Sequence, residues 1–400
     1  MNSRSKKILL ISPFPPSQNP RLLKEYQALK NAGFQVKALY AERDLWSSNY
    51  EVPEGFERVG GKVGSLSHWV TRITHKLSKM ILPHEYGYHR VSLLLLRKAL
   101  KIKADLYIGH ELTSLPIAVK AARKYKAKSG FDIEDCHRFE SSNNLHDTVY
   151  KAAVAIENKF ISELDYITCA SPLIGQVYKK FYPKINPILI NNVFNKQKAN
   201  PNAENIDDIN HQPLKLFWFS QTIGTNRGIE TVIEALGMLT SKKVKLTLLG
   251  SISNERLNYF KDLATEFGLH NDQLEILDPV SPTEIFEVAK SNDIGLALEP
   301  AFSLNNDIAL SNKIFTYLSV GLTIIASNTK AQQKFFEENP TAGFTHNIGD
   351  TKTLSTIIQR FIDDKVFLRQ NKKNAIVLAQ TRFNWELESQ KFISIINSTL

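Results

Sequence analysis

The chain of 400 residues is 42% hydrophobic and 22% charged, a globular composition that excludes a disordered tail protein and is too long for one small core. Two domains of about 150–200 residues each are therefore expected. Two cysteines, Cys136 and Cys169, give neither a disulfide framework nor metal-ligand spacing, and no stretch is long and apolar enough to span a bilayer. The net charge of +10 is uneven. Residues 1–195 hold 29 Lys and Arg against 17 Asp and Glu, a net of +12, while the remainder stands at −2. The first half is either a well-solvated face or a surface for an anionic partner such as lipid headgroups, an acidic glycan or nucleic acid.

The opening, MNSRSKKILLISPFPP, begins basic and then apolar, but the apolar run ends at Ile11, Pro13 follows, and no small-residue cleavage site appears. It reads as a first buried strand, Lys7–Ser12, with the cytoplasm as the expected compartment. A proline-rich loop leads to a helix over Arg21–Ala32, with Leu22, Leu23, Tyr26 and Leu29 at helical spacing and Gly33 as a stop. Gln35–Tyr40 is a second strand. This strand–helix–strand opening predicts a doubly wound parallel sheet. Residues 41–67 read as loop with a short strand. The segment His68–Leu100 reads as helical in pieces, broken near Pro83. There Trp69, Ile73, Leu77 and Ile81 alternate with Arg72, Lys76 and Lys79, the pattern of either a surface helix of the first domain or one lying on an anionic membrane.

Further strands are expected at Asp105–Gly109, Ser129–Glu134, Tyr166–Ala170 and Pro187–Ile190. Helices are expected at Pro116–Tyr125, 147–163 and Leu173–Tyr182. Residues 196–212 are polar without periodicity and read as an interdomain linker. The alternation then resumes, with strands at Leu216–Phe219, Lys245–Leu249, Leu274–Leu277, Ile294–Leu298 and Thr323–Ala326. Helices include Asn254–Phe267, Thr283–Lys290, Leu354–Asp364, Val366–Thr381 and Trp385–Leu400. The division is 1–195, a linker at 196–213, 214–384, and a final helix at 385–400 that packs back on the first domain.

Two stretches carry chemistry. In LKLFWFSQTIGTNRGIETVIEALGML, residues 214–239, a strand runs through a polar loop into a helix, with Asn226 read as N-cap and Arg227 in the first turn. A cation at a helix start suits a phosphate; the plain alternative is an ordinary turn with a solvated arginine. In SNKIFTYLSVGLTIIASN, residues 311–328, Ser311 and Asn312 are competent caps and Lys313 sits in the first turn of a second helix. Together Arg227 and Lys313 could clamp a diphosphate, with Gly250–Ser251 letting backbone approach the ligand. Ligands of open parallel sheets bind at the carboxyl ends of strands. In the first half that rule selects Ser12–Arg21, His110, Glu111, Asp135, His137 and Asn191–Asn192. In the second it adds Asp278–Val280, Glu299 and Asn305–Lys313. A Walker phosphate loop, a nucleophile elbow, a dinucleotide glycine fingerprint and a His/Cys metal cluster are all missing from the sequence.

FSQTIGTNRGIETVIEAL, LTLLGS and SNKIFTYLSVGLTIIAS resemble the donor domain of glycosyltransferase family 4. The first-half segments DLYIGH, DIEDCH and SPLIGQVYKKFY…ILINNV agree with it. The resemblance covers nearly the whole chain and is weakest over 41–100. It implies the GT-B fold, two doubly wound Rossmann-like domains facing each other with C-terminal helices. It also implies transfer of a sugar from a nucleotide diphosphate sugar with retention, for polysaccharide, lipopolysaccharide or glycolipid synthesis.

The resemblance further implies that Arg227 contacts the diphosphate, with Gln221, Thr222, Gly250 and Ser251 beside it. Asn312, Lys313 and Thr316 would hold phosphate and ribose, and the main chain at Val280 the base. His137, or alternatively His110, would lie near the transferred sugar. Arg21, Glu111 and Asp135 fall on the acceptor side. No metal or other cofactor is expected. The expected partners are the nucleotide sugar, a glycan or lipid-linked acceptor and an anionic membrane surface at the inner face, but not nucleic acid. Where the family commonly shows two glutamates, this chain has Ile308 and Thr316, and Gln221 or Thr222 stands where a second loop cation often lies. The alternatives are a nucleotide-sugar-binding protein without turnover and a sugar-nucleotide epimerase.

Overall fold

The computed structural model describes residues 5–42, 52–197, 213–241 and 243–400. The expected linker lies almost wholly outside them, as do residues 43–51 of the loop expected at 41–67. Two compact units divide the chain. The first comprises residues 1–191, 303–305 and 388–400; the second comprises 192–302 and 306–387.

The first unit is built on a seven-stranded parallel sheet: β1 (Lys7–Ile11), β2 (Gln35–Tyr40), β3 (Phe56–Arg58), β4 (Leu106–His110), β5 (Lys128–Ile133), β6 (Tyr166–Cys169) and β7 (Ile188–Leu189). The spatial order is β3-β2-β1-β4-β5-β6-β7, so the winding reverses between β1 and β4. Runs such as KILLI lack polar alternation because helices cover both faces of a parallel sheet. The helices of this unit are α1 (Pro20–Asn31), α2 (Leu66–Ile81), α3 (His84–Gly87), α4 (Ser92–Ala99), α5 (Leu115–Tyr125), α6 (Thr148–Phe160) and α7 (Pro172–Phe181). The start of α1 is fixed by Asn19, whose Oδ1 accepts from the Leu22 amide at 3.0 Å, and by Pro20 in the first turn.

The second unit holds six parallel strands: β8 (Leu214–Thr222), β9 (Val244–Ser251), β10 (Leu274–Leu277), β11 (Ile294–Ala297), β12 (Thr323–Ser327) and β13 (Gly343–His346). Their order is β10-β9-β8-β11-β12-β13, reversing between β8 and β11. Here α8 (Ile229–Gly237), α9 (Asn254–Glu266), α10 (Glu284–Lys290), α11 (Leu304–Ile308), α12 (Asn312–Val320) and α13 (Lys330–Glu338) follow the strands. The chain closes with α14 (Thr351–Asp363), α15 (Lys365–Thr381) and α16 (Trp385–Thr399). The core joins Leu216, Trp218, Val232, Leu236, Leu248 and Leu296. The sequence reading lacks β13 and α13: β13 is four residues with a single large apolar side chain, Phe344, too short for a periodic signal.

Helix α2 is turned inside out. Its inward side presents His68 and Thr71, both buried, with His75 Nε2 3.0 Å from the Gly87 carbonyl and Arg90 Nη1 donating to Thr71 Oγ1 at 3.1 Å. The helix lies so close to α3 that a Cβ on Gly87 would stand 2.9 Å from the Ser78 carbonyl oxygen. Its apolar residues face solvent.

Candidate functional site

Each sheet places its strand-end loops around the crevice where its winding reverses, the position at which open α/β sheets take ligands. The two crevices belong to different units and are described separately.

At the first, the end of β1 leads into α1, whose buried face carries charge as well as Leu22 and Tyr26. Arg21 is fully buried and grips Asp132 of β5 with two nitrogens, Nη2 donating at 2.8 Å, while Nη1 donates to the Ile190 carbonyl at 2.5 Å. Asp132 also accepts from Thr168 Oγ1 at 2.6 Å. His110, at the end of β4 and equally buried, lies 3.2 Å from Glu25, 3.3 Å from Glu134 and 3.7 Å from Asp132. Burial opposes its charged form, but these three carboxylates outweigh burial and push its pKa up to about 10.

Arg21 and His110, expected to meet acceptor and sugar, are thus enclosed and committed to carboxylates, and that reading of them is corrected. Sequence reasoning overlooked Glu25, Asp132 and Glu134. The spacing of Arg21 and Glu25, one helical turn apart on the face that carries Leu22 and Leu29, was the available signal.

Outside this network stands a more open group. Glu111 follows β4 with φ of 66°, a left-handed conformation uncommon for a side-chain-bearing residue. Burial, partly offset by His137 and reinforced by neighbouring acids, pushes its carboxyl up to about 8. His137 is buried; its Nδ1 lies 3.6 Å from Glu140, its Nε2 has no hydrogen-bond partner among the described residues, and its ring tilts onto Phe131. Burial again opposes the charge, but Glu140, Glu111 and Asp135 raise the imidazole to about 9. Asp135 accepts from Asn305 Nδ2 at 2.8 Å, and burial raises its carboxyl pKa.

Ligand atoms of Glu111, His137 and Glu140 lie within 4.8 Å of one another, as do those of Glu25, His110 and Asp132. In the second set Arg21 already occupies the cation position, with Nε 3.6 Å from Glu25.

At the second crevice, β8 runs further than expected, through Gln221 and Thr222, with an irregularity between Phe219 and Thr222 where it pairs with Ser251 of β9. The Ile223 amide donates to the Ser251 carbonyl at 2.8 Å, tying the following loop to β9. Gly250 is required here: a Cβ would stand 2.2 Å from the Ser220 carbonyl oxygen.

The reading of Asn226 as N-cap is corrected. Asn226 and Gly228 both take positive φ, 60° and 82°, so the helix begins later, at Ile229, and Arg227 lies in the loop before it. The Asn226 amide instead donates to Glu230 at 2.9 Å. Arg227 is exposed, its polar contact being with Ser220 Oγ at 3.3 Å.

Beside it stands a residue the sequence reading missed. Arg256, in the first turn of α9, is capped by Ser253, whose Oγ accepts from the Arg256 amide at 3.4 Å. Arg256 Nη1 and Arg227 Nε lie 3.6 and 3.9 Å from the point a Cβ on Gly224 would occupy. Neither guanidinium has a carboxylate partner among the described residues. Two like charges brought together, one on a loop and one at a helix start, form a place for an anion.

Lys313 behaves differently from expectation. Its Nζ donates to Glu299 at 2.9 Å, Ser311 Oγ donates to the same oxygen at 2.8 Å, and Asn306 donates to the other at 3.3 Å. Burial would raise the Glu299 pKa, but Lys313 and these donors hold it below the usual carboxylate range. Lys313 is therefore already neutralised, and its ammonium sits 5.8 Å from the Trp218 ring centroid.

Asn312 is exposed at the start of α12. Thr316 is buried and turned onto its own helix, donating to the Asn312 carbonyl at 3.4 Å, so the expected ribose contact from its side chain is corrected. Ile308 is buried too. Val280, 36% exposed, lies on the loop after the edge strand β10.

No protein-family profile and no curated protein matches the chain by sequence. Solved structures do match. HepE of Anabaena, determined with UDP and glucose, has a TM-score of 0.69 at 17% identity, covering 98% of this chain and 100% of that one. Sucrose-phosphate synthase from Thermosynechococcus elongatus gives 0.73 at 15% identity, with 98% of both chains covered. WaaG, a glycosyltransferase involved in lipopolysaccharide biosynthesis, gives 0.64 at 13% identity, covering 96% of this chain and 98% of that one. At such identities the likeness carries the fold: two parallel-sheet α/β units with C-terminal helices, of the GT-B glycosyltransferase type.

Proposed function

We propose that the protein is a glycosyltransferase that moves a sugar, with retention, from a nucleotide diphosphate sugar to a glycan or lipid-linked acceptor of the cell surface, acting from the cytoplasm. The observation that carries this reading is the meeting of Arg227 and Arg256 over Gly224, without a carboxylate partner among the described residues, beside the crevice of the second sheet. HepE, of the same fold, was determined with UDP and with UDP-glucose.

In the proposed reaction the bond between the anomeric carbon and the diphosphate oxygen breaks, and negative charge builds on the leaving phosphate. Arg227 and Arg256 would stabilise that charge more in the transition state than in the ground state, which is the condition for acceleration. Gln221, Thr222, Gly250 and Ser251 would line the diphosphate, Asn312 the ribose, and the main chain at Val280 the base. Glu299, ionised and held by Lys313, would supply a carboxylate to this crevice, where positions 308 and 316 carry Ile and Thr. His137 is proposed for the transferred sugar, with Glu111 and Asp135 on the acceptor side. With charge stabilised by arginines, the proposed reaction needs no metal.

The test is thermal stabilisation by a panel of nucleotide sugars, followed by measurement of released nucleotide with and without chelator. Stabilisation and chelator-resistant release in the wild type, both lost in Arg227→Ala/Arg256→Ala, are expected. Stabilisation without release in the presence of a cell extract would instead mark a binding protein. That second reading rests on the apolar Ile308 and the buried Thr316.

A further inference from the structure

We propose that α2 docks the first unit on an anionic lipid surface, lying in the plane of the headgroups. Leu66, Trp69, Val70, Ile73, Leu77, Met80 and Ile81 are 49–85% exposed. At 100° per residue these seven fall on a single arc about 120° wide. A soluble helix ordinarily turns such an arc to the core. Here the opposite face, with His68, Thr71, His75 and Ser78, does the packing, so the apolar arc has no cover among the described residues.

Charge identifies the occupant. Arg72, Lys76 and Lys79 flank one edge of the arc, and the segment 66–81 contains no Asp or Glu. Arg72 stacks over the Trp69 ring at 5.4 Å, putting an amphipathic aromatic where apolar and basic surfaces meet. The same helix of a second copy would bring no carboxylate to pair with that cationic edge. An anionic bilayer satisfies both surfaces at once. Sixteen residues make a rod of about 24 Å, and no described helix is long and apolar enough to cross a membrane, so the geometry is that of a helix on the surface.

The inference stands apart from the catalytic reading and is tested without it. The whole protein is floated with vesicles of phosphatidylcholine alone or mixed with phosphatidylglycerol, at low and high salt. Retention on the mixed vesicles at low salt and loss at high salt are expected. Arg72→Gln/Lys76→Gln/Lys79→Gln should weaken binding about fivefold per charge, about 100-fold in all. Ile73→Ser/Leu77→Ser/Met80→Ser should abolish it. All six positions are exposed, so the thermal midpoint and nucleotide-induced stabilisation serve as controls for folding. Equal binding to neutral and anionic vesicles overturns the proposal. So does absence of flotation; if this comes with a dimer that Leu77→Ser dissolves, the face is a contact between copies.

Discussion

At the crevice of the first sheet, Arg21, Glu25, His110 and Asp132 are sealed from solvent and set against one another. At the crevice of the second, Arg227 and Arg256 stand in solvent with no acid paired to them among the described residues. The same topology, a parallel sheet reversing beside its first strand, thus treats charge in two ways. Buried and paired, charge fixes one arrangement of strand ends and is costly to disturb. Exposed and unpaired, it contributes little to the fold and keeps its attraction for a ligand.

The largest expected effect tests the first half of that contrast. Asp132→Ala leaves Arg21 buried without its main partner and should destabilise the protein by about 3–5 kcal/mol in urea unfolding. A cost like that of a surface substitution would break the comparison. Next, Arg227→Ala and Arg256→Ala should each weaken nucleoside diphosphate binding by about 1.5–3 kcal/mol in calorimetry, with unchanged unfolding midpoints. Unchanged affinity in Arg256→Ala would remove that residue from the site. Lys313→Ala should cost about 1–2 kcal/mol of stability, because Glu299 keeps Ser311 and Asn306 but loses its cation.

A pH dependence offers the remaining test. His110 titrates near 6.5 when unfolded and about 10 when folded, so its contribution to stability is complete below pH 6.5 and is lost as pH rises through 10. Unfolding free energies should therefore fall between about pH 6.5 and 10, and His110→Gln should flatten that slope. A steeper slope in the variant would show that other groups control the titration.

Much of the fold was legible in the sequence because a parallel sheet writes itself plainly. KILLI, LYIGH and the apolar runs of β8 and β9 have no other reading at that length, and the spacing of Leu22, Leu23, Tyr26 and Leu29 marks the first helix. The crevices followed from topology. What was not legible is informative. Periodicity shows that a helix has an apolar stripe but not which way the stripe points, and α2 points it outward. Arg21 looked available because a single sequence does not reveal that Asp132, 111 positions away, closes on it. Arg256 was missed because the loop it completes belongs to the neighbouring strand. Asn226 was misread because a second left-handed residue, Gly228, delays the helix.

The contact at Gly250 has a consequence for anyone altering donor preference. With the glycine hydrogen pressed against the Ser220 carbonyl and Ile223 bonded to Ser251, the loops carrying Arg227 and Arg256 share one footing. Variation at 221–226 and 252–255 can reshape the rim while that footing holds. Any side chain at 250 would shift both loops together, so a mutagenesis library is best built with that codon left fixed.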